Sequence, residues 1–418
     1  MRSKLLPPKS IRPEQVFMLS ALFVNAGNYL YNLIVGRILG PTNFADAAIL
    51  ITFLLVLSFI AMTFQLVTAK YTVIFDDEVE DSFIKYITKR TLIAGIILGI
   101  VIVVFSKNLQ EIFNTSTSLM FTIFGIGVPI YFVMSVNRGF FQGKKKFVEL
   151  SITYQGEMLS RLIITILLLY LLSNMQSSIV ISIGILISLF FSLFPYALKK
   201  AFKPVLTLNE SQKKLVIKFF ILTAFYECTQ IIINNSDILL VKHYFDNYNA
   251  GLYASLALIG RVVYFVAWMF VMLLLPAVVN KEKEGLPHGT ILLKYVGYIT
   301  MLSFTIVLGS YLFPELVVNI LFGEAYIAIA PLLWKYALAT SIFAISNVFA
   351  YYFLSIDQYI PVIITGILGI TQVLLIIYFH SSLEEVVIVQ ILAMSVLLVV
   401  QLFFFFLKTF KKQKTELQ

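Results

Sequence analysis

Long apolar stretches of this sequence are interrupted by a few side chains that hydrocarbon disfavours. Asn25, Asn28 and Asn32 follow an i, i+3, i+7 spacing. At about 100° per residue they fall in one narrow arc of a helix, with Tyr29 and Gly36 alongside. Glu227, Gln230, Asn234 and Asp237 form a second stripe of the same kind. Two such stripes suit a shared central cavity that offers hydrogen-bond donors and acceptors. The plainer alternative is hydrogen bonding between helices, a common use of asparagine in membranes. Glu227 and Asp237 favour the cavity, because an unpaired carboxylate against lipid is costly.

The remaining charges are fewer and more specific. Glu157 and Arg161 stand i, i+4 on one helix face, as an ion pair or as part of a site. Arg261 has no acidic residue within a helical turn, and Tyr264 and Trp268 share its face. It requires water, a partner helix or an anionic ligand. Lys335 follows Pro331, nearer a span end, where snorkelling competes with ligand contact. The acidic run Asp76, Asp77, Glu78, Glu80 and Asp81 reads as a solvated cluster. Three scattered histidines and the lone Cys228 give no metal-ligand spacing and no internal disulfide. There is no phosphate-binding glycine loop and no nucleophile elbow, so neither ATP hydrolysis nor any cofactor is expected.

Helices that cross a bilayer must position these groups. Of 418 residues, 60% are hydrophobic and 13% charged, against roughly 45–50% and about 25% in soluble domains. That composition excludes a soluble domain, disorder and a disulfide scaffold. The apolar runs are continuous rather than alternating, which argues against a β-barrel. At about 20 residues per crossing, the pattern predicts an all-α integral membrane protein with twelve spans: 15–36, 46–69, 88–106, 117–136, 152–172, 177–198, 215–236, 251–279, 291–313, 326–355, 360–379 and 386–407. With the N-terminus in the cytoplasm, 25 of the 31 lysines and arginines fall on inner flanks and three (Arg37, Lys107, Lys242) on outer ones. Both termini are therefore expected inside. The net charge of +9 then reads as a topology signal that also draws anionic lipid heads, with no need for nucleic acid.

The most basic loop, 199–214, divides the chain into two six-helix bundles, 1–203 and 204–418. Asn32 to Arg37 and Asp237 to Lys242 share a spacing of five, and one offset of 205 also aligns Ala45 with Ala250. Copies of six spans are parallel repeats about an axis along the membrane normal.

Three segments resemble a known family. Arg37-Ile-Leu-Gly-Pro-Thr-Asn-Phe44 resembles the turn that closes the first span of bacterial polysaccharide exporters. Asn137-Arg-Gly-Phe-Phe-Gln-Gly-Lys144 and Asn235-Ser-Asp-Ile-Leu-Leu-Val-Lys242, followed by Ala250-Gly-Leu-Tyr253, resemble two further signatures. Asp46 departs from the pattern, standing where the family usually has glycine. The resemblance is to the O-antigen and teichoic-acid flippases of the multidrug/oligosaccharidyl-lipid/polysaccharide exporter superfamily. It implies a bacterial plasma-membrane protein that is not an enzyme. The implied activity is movement of an undecaprenyl-pyrophosphate-linked oligosaccharide by alternating access, with polysaccharide polymerase or glycosyltransferases as further partners. On that reading Arg261, then Arg161 and Lys335, bind pyrophosphate, since a guanidinium fork suits phosphate. Asn25, Asn28 and Asn32 meet sugar hydroxyls. Glu157, Glu227 or Asp237 couple transport to H+ or Na+, unless the membrane potential alone drives it. The rival within the superfamily is a cation-coupled multidrug antiporter, which needs a net acidic cavity. A membrane polymerase or ligase is the remaining alternative, and those resemble proteins with a large external loop that this chain lacks.

Overall fold

The computed structural model describes residues 13–198, 208–264, 289–356 and 360–416, with residues 267, 274, 278, 281, 287 and 358 individually. Among the described residues the regular structure is entirely helical. Among the described residues, eight helices are long and apolar enough to cross a membrane, and nine if the bent pair Glu210–Thr229 and Ile231–Tyr244 is one span. The chain is a multi-pass membrane protein.

The first helix, α1, runs from Pro13 to Ile74, 62 residues. At 1.5 Å per residue a straight helix of that length would reach about 90 Å, three times a hydrocarbon core. It is broken at Gly40, whose φ of 67° and ψ of 171° leave the helical region, followed by Pro41. Glycine enters that region without a Cβ penalty, and proline tolerates the first position of a new helical arm. The expected spans 15–36 and 46–69 are thus two arms of one kinked helix, with a single residue off-helical rather than a turn.

The next elements are α2 (Asp77–Val104), the short α3 (Ser106–Ile112), α4 (Leu119–Gly143), α5 (Phe147–Leu171) and α6 (Ser177–Phe191). Beyond residues 199–207 come α7 (Glu210–Tyr244) and α8 (Asn247–Gly260), then α9 (Gly289–Leu312) and the short α10 (Pro314–Leu321). A 3-10 helix (Glu324–Leu332) leads into α11 (Leu333–Ser355), followed by α12 (Ile360–Tyr378) and α13 (Leu383–Glu416). The two halves of the sequence share one order, with a short helix after the third long arm in each.

Two boundaries differ from expectation. The third span begins earlier, at Asp77, so Lys89 and Arg90 lie within α2, where both are exposed. The sixth, expected over 177–198, is a 15-residue helix ending at Phe191. Pro195 cannot donate a helical hydrogen bond, and Asn137 takes over the freed backbone. Its amide donates to the carbonyls of Leu193 (3.2 Å) and Pro195 (2.9 Å), and its oxygen accepts from the Ala197 N–H (3.0 Å). Irregular backbone at membrane depth is tolerated where protein groups satisfy it in this way. Most of the eighth expected span beyond residue 264, including Trp268, lies outside the described residues, as does the expected division at 203/204.

The chain forms two compact units. One holds Met1–Asn32 with Phe53–Glu227, the other Leu33–Thr52 with Cys228–Gln418. The middle of α1 therefore packs with the C-terminal half of the sequence. In the first unit α4 closes on the second arm of α1: a Cβ on Gly139 would stand 2.4 Å from the Gln65 carbonyl oxygen. Small residues permit such approaches where lipid supplies no hydrophobic drive. Gly139→Val should lose this fit and cost at least the ~1–3 kcal/mol typical of overpacking. The expected outcome is a lower yield of monodisperse protein on size exclusion in mild detergent, together with a lower melting temperature.

Candidate functional site

In the first unit, Glu157 on α5 is buried and shared by two arginines. Arg138 on α4 reaches one oxygen through Nη2 (2.9 Å), and Arg161 reaches the other through Nη1 (3.2 Å). Arg138 also donates to the Thr153 hydroxyl (3.1 Å) and carbonyl (3.0 Å), and its guanidinium lies 3.7 Å from the Tyr154 ring centroid. Nη2 of Arg161 donates to the side-chain oxygen of Asn28 on α1, and Tyr31 lies beneath the guanidinium. Nε of Arg161 is a buried donor with no hydrogen-bond acceptor. The Tyr154 hydroxyl donates to Gln65 (3.1 Å), whose amide donates to Gln142 (3.0 Å). Two guanidinium groups on one carboxylate, with a donor to spare, form a centre able to accept an anion.

In the second unit, Asp237 on α7 is the hub. It accepts from Arg261 Nη2 (2.8 Å), the Tyr336 hydroxyl (2.7 Å), the Tyr253 hydroxyl (3.2 Å) and the Gln390 amide (3.3 Å). α8 carries Tyr253 and ends beside Arg261, α11 carries Tyr336, and α13 carries Gln390. Arg261 is thus paired across helices; its partner is 24 residues earlier in the chain, out of reach of any single-helix pattern. Asn234, Thr340, Gln372 and Gln390 line a small cleft beside the pair. The space left is enough for about one water molecule. A pyrophosphate does not fit there while the cluster stands as it is.

The other expected site residues are dispersed. Asn25 is exposed, and Asn32 donates to the Asn28 carbonyl oxygen (2.9 Å). Lys335 pairs with Glu384 at the start of α13 and does not line the cleft; its neighbour Tyr336 does. Glu227 is buried and is bonded into neither cluster, while the side chain of Gln230 lies outside the described residues. Two flank charges are not solvated. Lys242, expected on the outer flank, is 1% exposed and pairs with Asp46 (3.0 Å) and Asn247. Glu80, expected in a solvated cluster, is 1% exposed and pairs with Lys144. Sequence reading counted Arg138 as a loop charge, although it lies inside the second signature segment.

The signature segments now have physical roles. Arg138 holds Glu157, Gly139 admits α1, and Gln142 meets Gln65. Gly251 lets α8 approach the Pro41 carbonyl, where a Cβ would overlap it at 1.8 Å, and Tyr253 serves Asp237. Asp46, the departure from pattern, supplies the counter-charge of Lys242. A family described as polysaccharide biosynthesis protein matches residues 34–331, which include all three segments. The chain belongs to this family.

No curated protein matches the sequence. Among solved structures, an inward-facing multidrug resistance MATE family transporter of the MOP superfamily superposes with a TM-score of 0.75 at 14% identity, over 90% of this chain and 93% of that one. The lipid II flippase MurJ, in an inward closed conformation, also gives 0.75, at 13% identity over 93% and 87%. A MATE crystal structure in a bent conformation gives 0.61 at 15% identity, over 97% of both chains. The fold is that of these membrane transporters.

Glu157→Gln should leave two buried guanidinium groups without a counter-charge, at about 3–5 kcal/mol, the usual cost of breaking a buried pair. Differential scanning fluorimetry is expected to show a clear fall in melting temperature. Lys335→Ala, which opens an exposed pair, should change it little.

Proposed function

We propose that this protein is a flippase that carries an undecaprenyl-pyrophosphate-linked oligosaccharide across the bacterial plasma membrane. The observation that carries the reading is the Arg138–Glu157–Arg161 centre, which holds more guanidinium than carboxylate. The polyprenyl tail stays in the bilayer while the hydrated head crosses. Arg161, with its unused Nε, and Arg138 take the pyrophosphate once this buried centre opens to the cargo, and Asn28 and Tyr31 beside Arg161 are assigned to the first sugar hydroxyls. Membership in a polysaccharide biosynthesis family supports this substrate class, and the transporter fold supports alternating access. In this reading twelve spans put both termini in the cytoplasm. Glycosyltransferases supply the cargo and a polymerase receives it.

Arg261 takes a different role from the phosphate ligand expected of it. It is the internal counter-ion of Asp237. Protonation of Asp237, or its capture by Na+, releases Arg261 and links the second unit to an ion gradient. An inside-negative potential adds roughly 2.3 kcal/mol per charge per 100 mV to outward movement of an anion.

The antiporter reading draws on the MATE fold and on the carboxylates Glu157 and Asp237. Each of those carboxylates is already held by arginine, which disfavours an organic cation there. Proteoliposomes loaded with a fluorescent polyprenyl-pyrophosphate disaccharide discriminate between the two. Wild-type protein should flip it, and Arg161→Lys, which keeps the charge but loses the fork, should bind it about tenfold more weakly, as loss of one charge-assisted bond predicts. Tight binding of an organic cation with none of the pyrophosphate lipid would overturn the assignment.

A further inference from the structure

Arg138 is held by more than its ion pair. Nε donates to the Thr153 hydroxyl (3.1 Å), and Nη2 donates to the Thr153 carbonyl (3.0 Å) and to Glu157 (2.9 Å). Those bonds occupy one edge of the guanidinium. Nη1 keeps both of its N–H groups unbonded among the described residues. Arg161 is held in a similar way: Nη1 donates to Glu157 (3.2 Å), Nη2 donates to Asn28, and Nε is spare. The two arginines thus flank one carboxylate, and each retains one unused donor nitrogen.

The flat face of Arg138 lies on Tyr154, 3.7 Å from the ring centroid. Phe17 on the first arm of α1 packs against the same ring, at a centroid distance of 6.3 Å. The Tyr154 hydroxyl donates to the side-chain oxygen of Gln65 (3.1 Å), and the Gln65 amide donates to Gln142 (3.0 Å). The ring is therefore fixed at its face and at its tip, by α1, α4 and α5 together. Arg138 and Gln142 stand four residues apart on α4, on one side of the helix. One signature segment thereby reaches both ends of the phenol. Stacking alone does not call for a hydroxyl, because phenylalanine also receives a cation on its face. The hydroxyl adds a limit on how far the ring can tilt, and a guanidinium resting on the ring tilts with it.

We propose that Tyr154 is a positioning residue that aims the free edge of Arg138, and that this aim makes the centre prefer a pyrophosphate to a monophosphate. A pyrophosphate carries two phosphoryl groups at a nearly fixed separation, so each can meet one arginine once the centre opens. That demands a set spacing between the two spare nitrogens. A monophosphate engages one guanidinium at a time and is indifferent to the spacing. The inference rests on the flippase reading, and its test separates the two. Binding of a fluorescent polyprenyl pyrophosphate and of the matching monophosphate is measured on the full chain in nanodiscs. Wild type should hold the pyrophosphate about tenfold more tightly, as a second charge-assisted contact predicts. Tyr154→Phe, which keeps the ring, should weaken the pyrophosphate about fivefold, the effect of losing one neutral hydrogen bond, and leave the monophosphate nearly unchanged. Gln65→Leu should do the same, and the double variant should fall no further than either single one, because both remove one interaction. Equal losses for the two lipids would mark Tyr154 as packing only and overturn the inference, as would no loss for either. Should wild type bind neither lipid, the flippase reading fails, and inorganic pyrophosphate against inorganic phosphate decides the positioning by the same ratios. Absence of a pyrophosphate preference with that pair refutes it.

Discussion

Hydrocarbon cannot solvate an ion, and this single restriction organises the whole molecule. The deep charges for which partners are known have found them within hydrogen-bonding distance: Glu157 with two arginines, Asp237 with Arg261, Lys242 with Asp46, Glu80 with Lys144. Each bond joins elements that are distant in sequence or on different helices, apart from the i, i+4 contact of Glu157 with Arg161. The pairs therefore fix which helices are neighbours and how deeply each is set. Uncharged polar groups extend the same logic. Asn137 closes the backbone broken before Pro195, and Tyr253, Tyr336 and Gln390 complete the shell of Asp237.

The two charged centres differ in kind. That in the first unit has cation in excess and a donor left over, whereas Asp237 in the second is enclosed by four donors around a space the size of a water molecule. The first holds one carboxylate between two guanidinium groups, and the second holds one carboxylate among one guanidinium, two phenols and one amide. Both units use arginine but in different ratio to acid, two to one carboxylate in the first and one to one in the second.

Much of this was legible from spacing. Hydrophobic run length gave most of the helices. Glu157, Arg161, Asp237 and Arg261 stood out because apolar surroundings make ionised residues conspicuous. What sequence does not convey is partnership across helices. Arg261 looked alone because Asp237 is on another helix, and Arg138 looked like a loop charge because α4 extends farther than its apolar core. Asn25 shares the stripe of Asn28 yet is exposed, since an arc on a helical wheel specifies a direction and not a depth. Gly-Pro usually marks a turn, whereas here a single residue of positive φ, Gly40, suffices to kink a continuous helix.

The placement of Leu33–Thr52 has a consequence for biogenesis. Asp46 leaves the ribosome roughly 200 residues before Lys242, its counter-charge. At about 5–20 residues per second that delay is on the order of 10–40 s. Through that interval the first hairpin sits in the translocon or the bilayer with an exposed carboxylate and with Gly36 and Pro41 carbonyls awaiting Tyr326 and Gly251. The first two arms gain these partners only when α7, α8 and the 3-10 helix Glu324–Leu332 have been made, and only then is the Asp46 carboxylate buried beside its counter-charge.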